Sequence, residues 1–199
     1  MTNGISRREF MQSAGMVASA VGAGSAAVAA ERPAATAGMS RVRVKLKVNG
    51  TEHAADVEAR VTLLDYLHDR LALTGTRKGC NEGACGACTV LIDGKRMNAC
   101  LTLVAQCEGR AVTTVEGIAQ GGTLHAVQQA FIDHDAFQCG YCTTGQIVSA
   151  VACIQEGHAG NEAMVREWMS GNLCRCSCYP QITAAVLDAA GRTRNPSGS

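Results

Sequence analysis

Lys78-Gly79-Cys80-Asn81-Glu82-Gly83-Ala84-Cys85-Gly86-Ala87-Cys88, with Cys100 beyond it, separates four cysteines by four, two and eleven residues. Glycines at 79, 83 and 86 let such a segment fold back on itself, because they accept backbone angles closed to other residues. On its C-terminal side lies the apolar run Thr89-Val-Leu-Ile92, then Asp93-Gly94, a hairpin signal, with a return strand expected over 96–103 and a last strand over 111–115. On its N-terminal side, Arg41-Val-Arg-Val-Lys-Leu-Lys-Val48 alternates charged and apolar residues, the pattern of a half-buried strand. Asn49-Gly50 turns it back into a partner strand over 53–58. Thr62 and Asp65 have the spacing of a helix start, with Leu63, Leu64, Leu67 and Leu71 on one face. Two hairpins around one helix make a small α+β sheet domain over 41–117.

From about residue 118 the apolar period changes from two to 3.6. Leu124, Val127, Phe131 and Ile132 mark one stripe, Ile147, Val151 and Ile154 a second, Met164, Val165, Trp168 and Met169 a third, and Ile182, Val186 and Ala189 a fourth, which opens near Pro180. Four short helices over 118–192 suggest a small bundle, and 193–199 reads as a tail.

A spacing of four, two and then a longer gap is that of plant-type [2Fe-2S] loops, so Cys80, Cys85, Cys88 and Cys100 are predicted ligands of a two-iron cluster. Structural zinc is the competing reading, though it usually shows two close C-x2-C knuckles. Cys139-x2-Cys142 and Cys174-x-Cys176 form a second set whose spacing leaves cluster, zinc and disulfides open. A helix beginning at Thr143 would turn its positive end to that set and favour an anionic group. No Cys-x-His pair accompanies either set, which argues against a Rieske centre.

Of the remaining cysteines, Cys153 reads as a core residue, Cys107 lacks an obvious partner, and Cys178 lies where it could compete as a ligand. Eleven cysteines is an odd number, so disulfides cannot use them all. The five histidines show no metal-ligand spacing and read as surface or capping groups. No nucleophile motif, phosphate loop or catalytic carboxylate pair occurs, so no catalytic residue is assigned. A formal charge of +1 excludes the strong basic field of nucleic-acid binding.

The first thirty residues are a targeting segment: Ser6-Arg7-Arg8-Glu9-Phe10 precedes an uncharged Ala, Gly and Val run from Ala14 to Ala30. The arginine pair resembles a twin-arginine signal, with 31–40 as linker and a periplasmic destination for the mature chain. The run falls short of the roughly 20 strongly apolar residues of a transmembrane anchor.

The loop at Cys80–Cys100, followed by Phe137-Gln-Cys-Gly-Tyr-Cys-Thr143 and Gly171-Asn-Leu-Cys-Arg-Cys176, resembles the iron–sulfur subunit of the xanthine dehydrogenase and aldehyde oxidase family of molybdenum hydroxylases. With an export signal in front, it is similar to the small subunits of periplasmic aldehyde oxidoreductases. The resemblance spans residues 41–191. It implies an N-terminal β-grasp, plant-type ferredoxin domain and an all-α four-helix domain, each holding a [2Fe-2S] cluster, the second at Cys139, Cys142, Cys174 and Cys176. It further implies that Gln138 and Cys176 contact a pterin carried by a molybdenum-cofactor large subunit as molybdopterin cytosine dinucleotide. The outer cluster would pass electrons to an FAD subunit or another acceptor while the complex oxidises aldehydes to carboxylates. An N-heteroaromatic hydroxylase of the isoquinoline oxidoreductase kind, and a free-standing ferredoxin-type carrier, are the alternatives.

Overall fold

Eight residues of alternating side chains, Arg41–Val48 (β1), put Val44, Leu46 and Val48 into a core and leave Arg41, Arg43, Lys45 and Lys47 exposed. Asn49 and Gly50 both take positive φ, 49° and 83°, and return the chain as Thr51–Glu58 (β2), antiparallel in register from Val48 against Thr51 to Arg41 against Glu58. Thr62 then accepts a hydrogen bond from the Asp65 amide, capping the helix Leu63–Asp69 (α1), a contact worth about 1 kcal/mol. The helix seats Leu63, Leu64, Tyr66 and Leu67 on the sheet.

The structure is a computed structural model, and it describes residues 40–194. The export signal, nearly all of the linker and the last five residues of the tail lie outside them. Among the described residues no helix is long and apolar enough to cross a membrane.

Thr89–Ile92 (β3), Lys95–Asn98 (β4) and Ala111–Thr113 (β5) complete a five-stranded mixed sheet in the order β2-β1-β5-β3-β4. Only the β1–β5 pair is parallel. The strand expected over 96–103 stops at Asn98: Leu101 bonds back to the Asn98 carbonyl in a tight turn, and a short 3-10 helix, Val104–Cys107, follows. That turn sets Cys100 beside the loop at 80–88 instead of continuing the ladder.

All four residues of β3 are buried, since both its faces are covered. Val90 and Ile92 join the core under α1, whereas Leu91 joins the core of the helical half. That half comprises Ala126–Asp133 (α2), Thr143–Gln155 (α3), Glu162–Trp168 (α4) and Tyr179–Arg194 (α5). Helix α2 packs on α5, and α3 lies between α5 and β3. Two residues of the expected first stripe prove exposed, Leu124 at 45% and Ile132 at 51%; Val127, Ala130 and Phe131 carry the burial instead. The two-layer sheet and the helical bundle together form an α+β fold.

Candidate metal centres

The loop from Lys78 to Cys88 turns through positive φ at Asn81, Gly83 and Gly86, which points its amides inward. Glu82 and Ala84 donate backbone N–H groups to Cys80 Sγ at 3.5 and 3.2 Å, and Cys80 donates to Cys85 Sγ at 3.4 Å. A Cβ on Gly79 would lie 2.7 Å from Cys85 Sγ, so the main chain passes against the sulfurs where only glycine fits. Cys88 enters from the start of β3 and Cys100 from just past β4, their approach fixed by the Ala99 amide on the Cys88 carbonyl at 3.2 Å.

The helical set is built from two turns. Cys139 and Cys142 flank Gly140, and Cys142 stands at the N-terminus of α3, where no side chain caps the first amides. Cys174 and Cys176 follow α4, with the Cys174 amide donating to Tyr179 Oη at 2.9 Å. Exposed Gln138 precedes exposed Cys139 at the outer edge.

Within each set the thiols lie side by side, Cys80 by Cys85 and Cys88 by Cys100 in the loop, Cys142 by Cys174 and Cys139 by Cys176 in the helical half, with Cys178 also by Cys174. Two tetrahedral irons that each take two cysteines ask for this pairing. Around a single zinc all four would converge. Among the described residues no three His, Cys, Asp or Glu side chains do so. Hydrogen bonds from the Glu82 amide, with help from Ala84, bring the Cys80 thiol down to about 7, whereas burial pushes Cys88 and Cys142 up to about 12. The buried thiols therefore ionise only with a cation beside them, the condition metal loading supplies.

Direct contacts join the two sets. The Leu173 amide, one residue before Cys174, donates to the Cys85 carbonyl at 3.0 Å. Asn172 Nδ2 donates to the Gly86 carbonyl at 3.0 Å, and Gln146 Nε2 donates to the Asn172 carbonyl at 2.9 Å, both buried. Tyr141 Oη donates to the Lys78 carbonyl at 2.6 Å. Six of the thiols, Cys80, Cys85, Cys139, Cys142, Cys174 and Cys176, line one cavity of about 760 Å³. Leu173, Tyr141 and Tyr179 on its wall are 51%, 50% and 43% exposed. The motifs leave Gln146, Asn172 and Tyr141 without a role. Gln146 alone carries a signal, a long polar side chain in the otherwise small and apolar stretch Gly145–Cys153.

The remaining cysteines separate cleanly. Cys107 and Cys153 are fully buried, and burial raises both thiols, Cys153 to about 11. They are core residues. Cys178 is half-buried against Cys174. His125 caps α2 by accepting from the Val127 amide, His158 stacks on Trp168 at 3.7 Å, and His134 pairs with Asp188, so these histidines serve structure.

Residues 46–105 match the family described as 2Fe-2S iron-sulfur cluster binding domain, and residues 114–187 the family described as [2Fe-2S] binding domain. Over 96% of its length the chain is 45% identical to the aldehyde oxidoreductase iron-sulfur-binding subunit PaoA of Escherichia coli K12, covering 90% of that protein. Its structure is similar to a chain of quinoline 2-oxidoreductase from Pseudomonas putida 86, with TM-score 0.74 and 44% identity, covering 78% of this chain and 97% of that one. The aldehyde oxidoreductase of Desulfovibrio desulfuricans ATCC 27774 also matches 78% of this chain at TM-score 0.74 and 42% identity, but the match covers 18% of that longer chain.

Proposed function

The chain belongs to the iron–sulfur subunits of the xanthine dehydrogenase and aldehyde oxidase family of molybdenum hydroxylases, and on that premise we propose that it relays electrons from a molybdenum-cofactor subunit to FAD or another acceptor in a complex that oxidises aldehydes to carboxylates. Two [2Fe-2S] clusters, one per binding domain, supply sites that each take up and release a single electron. Cys80, Cys85, Cys88 and Cys100 hold the outer one, and Cys139, Cys142, Cys174 and Cys176 the inner one. The residues fit the group: the thiols are paired, amides point at sulfur, and glycine leaves the space.

The observation that carries the relay is the Leu173 N–H on the Cys85 carbonyl, which links a residue of one set to the neighbour of Cys174 in the other through one hydrogen bond. A binding protein stapled by zinc or disulfides has no need of that link. Gln138 and Cys176, on the exposed edge of the helical set, are assigned to the partner's pterin, borne as molybdopterin cytosine dinucleotide. Exposed Phe137, Tyr141, Leu173 and Tyr179 supply apolar surface around that edge for the large subunit to cover. In the Desulfovibrio enzyme the corresponding segment is part of a longer polypeptide; here the contact would be made between chains.

Hydroxylation of an N-heteroaromatic ring is a second reading, favoured by the similarity to quinoline 2-oxidoreductase. The aldehyde reading rests on the longer match to PaoA, which over 96% of the chain must take in most of the first 39 residues. Export to the periplasm by the twin-arginine route belongs to the same reading and rests on Arg7-Arg8 ahead of the uncharged run from Ala14 to Ala30.

Iron and acid-labile sulfide per chain, with low-temperature EPR of the dithionite-reduced complex, test the relay. The expected result is about four iron and four sulfide and two rhombic signals. About two iron with one signal would remove the inner centre and the relay with it; zinc in place of iron would overturn electron transfer altogether.

A further inference from the structure

One carbonyl in the loop of the outer centre is held from three sides. Gly86, between Cys85 and Cys88, adopts φ 69°, and its oxygen accepts the Thr89 amide at 3.1 Å, the Thr89 hydroxyl at 2.6 Å and Asn172 Nδ2 at 3.0 Å. Asn172 Nδ2 also reaches Thr89 Oγ1, at 3.3 Å. The first two donors belong to the loop's own turn into β3, but the third comes from the helical half, just before Cys174. Asn172 is itself held by α3, where fully buried Gln146 donates Nε2 to its carbonyl at 2.9 Å. The fit is tight: a Cβ on Gly86 would stand 2.6 Å from both Asn172 Nδ2 and the Gly171 carbonyl, and one on Gly145 would stand 2.3 Å from the Gly86 oxygen. That oxygen therefore points out of the loop, towards the helical half. In a trans peptide the N–H points the opposite way. The same three bonds thus turn the positive end of the Gly86–Ala87 peptide, the N–H of buried Ala87, back into the loop that carries the cysteines.

We propose that Asn172, a residue of the inner motif, is a positioning residue for the outer centre: by holding the Gly86 carbonyl turned out of the cysteine loop, it makes that centre easier to reduce. The inference rests on the reading above of Cys80, Cys85, Cys88 and Cys100 as ligands of a [2Fe-2S] cluster. Reduction brings in one electron, from the inner centre in turnover or from dithionite in a titration, and one ferric iron becomes ferrous. No bond to the protein breaks. The centre gains a negative charge, which a peptide presenting its N–H end stabilises and one presenting its oxygen opposes. A glycine peptide is the freest to rotate, so its direction depends on what grips the oxygen.

The test is an EPR-monitored redox titration of the purified complex carrying the wild-type chain, Asn172→Ala, Thr89→Val or Thr89→Ser, with Cys85→Ser identifying the outer signal by its loss. The Asn172 and Thr89 variants should keep full iron and both signals. In Asn172→Ala the ratio of reduced to oxidised outer centre, read at the wild-type midpoint, should fall at least roughly twofold, the low end of what one hydrogen bond contributes, while the inner signal titrates unchanged. Thr89→Val keeps the side chain's shape but takes the hydroxyl from the same carbonyl, so it should move the outer midpoint in the same direction. Thr89→Ser keeps the hydroxyl and should titrate as wild type. A merely structural contact would lower stability without separating the two centres in this way. An unmoved outer midpoint in Asn172→Ala overturns the proposal, as does an equal or larger shift of the inner centre. Should Asn172→Ala lose iron, the Thr89 pair decides, and a Thr89→Val midpoint equal to that of Thr89→Ser overturns it. A wild-type complex without an outer rhombic signal would instead sink the cluster reading, and this inference with it.

Discussion

At Cys85 the side chain and the main chain serve different ends. The sulfur accepts the Cys80 amide at 3.4 Å, and the carbonyl accepts the Leu173 amide at 3.0 Å. Replacing the sulfur alone separates the two roles, because Cys85→Ser leaves the carbonyl in place. The variant should lose the outer rhombic signal, keep the inner one, and drop to about half the wild-type iron content. Loss of both signals would mean that the two sets do not load independently. The loop set Cys80, Cys85, Cys88 and Cys100 was readable from its spacing, a local property of the chain, whereas spacing left the helical set open and only the family resemblance gave it a reading. Asn172 and Gln146 were not readable, since their partners are main-chain carbonyls: Asn172 reaches one 86 residues away, and Gln146 one 26 residues away. A sequence pattern records side-chain chemistry but not which distant carbonyl it will meet.

Among the elements, strands and turns were read more accurately than helix faces. The hairpin at Asn49-Gly50 and the one at Asp93-Gly94 hold their expected places, and all four turn residues take positive φ. Strand β4 was overrun because the apolar residues Ala99, Cys100 and Leu101 prolong the strand reading past Asn98, where the chain instead turns to deliver Cys100. The stripe over α2 was misjudged at Leu124, which precedes the helix, and at Ile132, which faces outward; Ala130, too small to register, takes the buried place. A close backbone joint between elements is at Gly145 in α3, where a Cβ would stand 2.3 Å from the Gly86 carbonyl and 3.0 Å from Ala87 Cα. Both obstacles are backbone, so Gly145→Ala must push the helix off the cysteine loop, at a cost of about 1–3 kcal/mol. Gly191→Ala is the control: nothing lies within 4 Å of its added Cβ, and alanine is the better helix former. In thermal scans at one fixed rate, Gly145→Ala should melt several degrees below wild type and Gly191→Ala at or above it. Equal midpoints for the two variants would contradict close packing between α3 and the loop.

For the whole molecule, the order of folding, loading and export becomes a physical constraint. Burial holds Cys88 and Cys142 near 12, so these thiols give up their protons only as metal arrives. Metal binding and folding therefore support each other. A chain threaded through a membrane unfolded cannot carry a preassembled centre, and the contacts at Asn172, Leu173 and Tyr141 that join the two sets exist only in the folded body. On the export route proposed above, the pair Arg7-Arg8 ahead of an uncharged small-residue run would answer that constraint, as a signal for a route that carries folded proteins. Replacing Arg7 and Arg8 together with lysine preserves the charge of the segment and removes only the guanidinium pair. On fractionation the double variant should remain in the cytoplasm, with its iron and both EPR signals intact and its precursor uncleaved. Wild-type amounts of the variant in the periplasm would show that the route reads charge alone, and the folded-export argument would fall. A variant retained in the cytoplasm but without iron would instead place cluster insertion after export, since a chain held inside would then never be loaded.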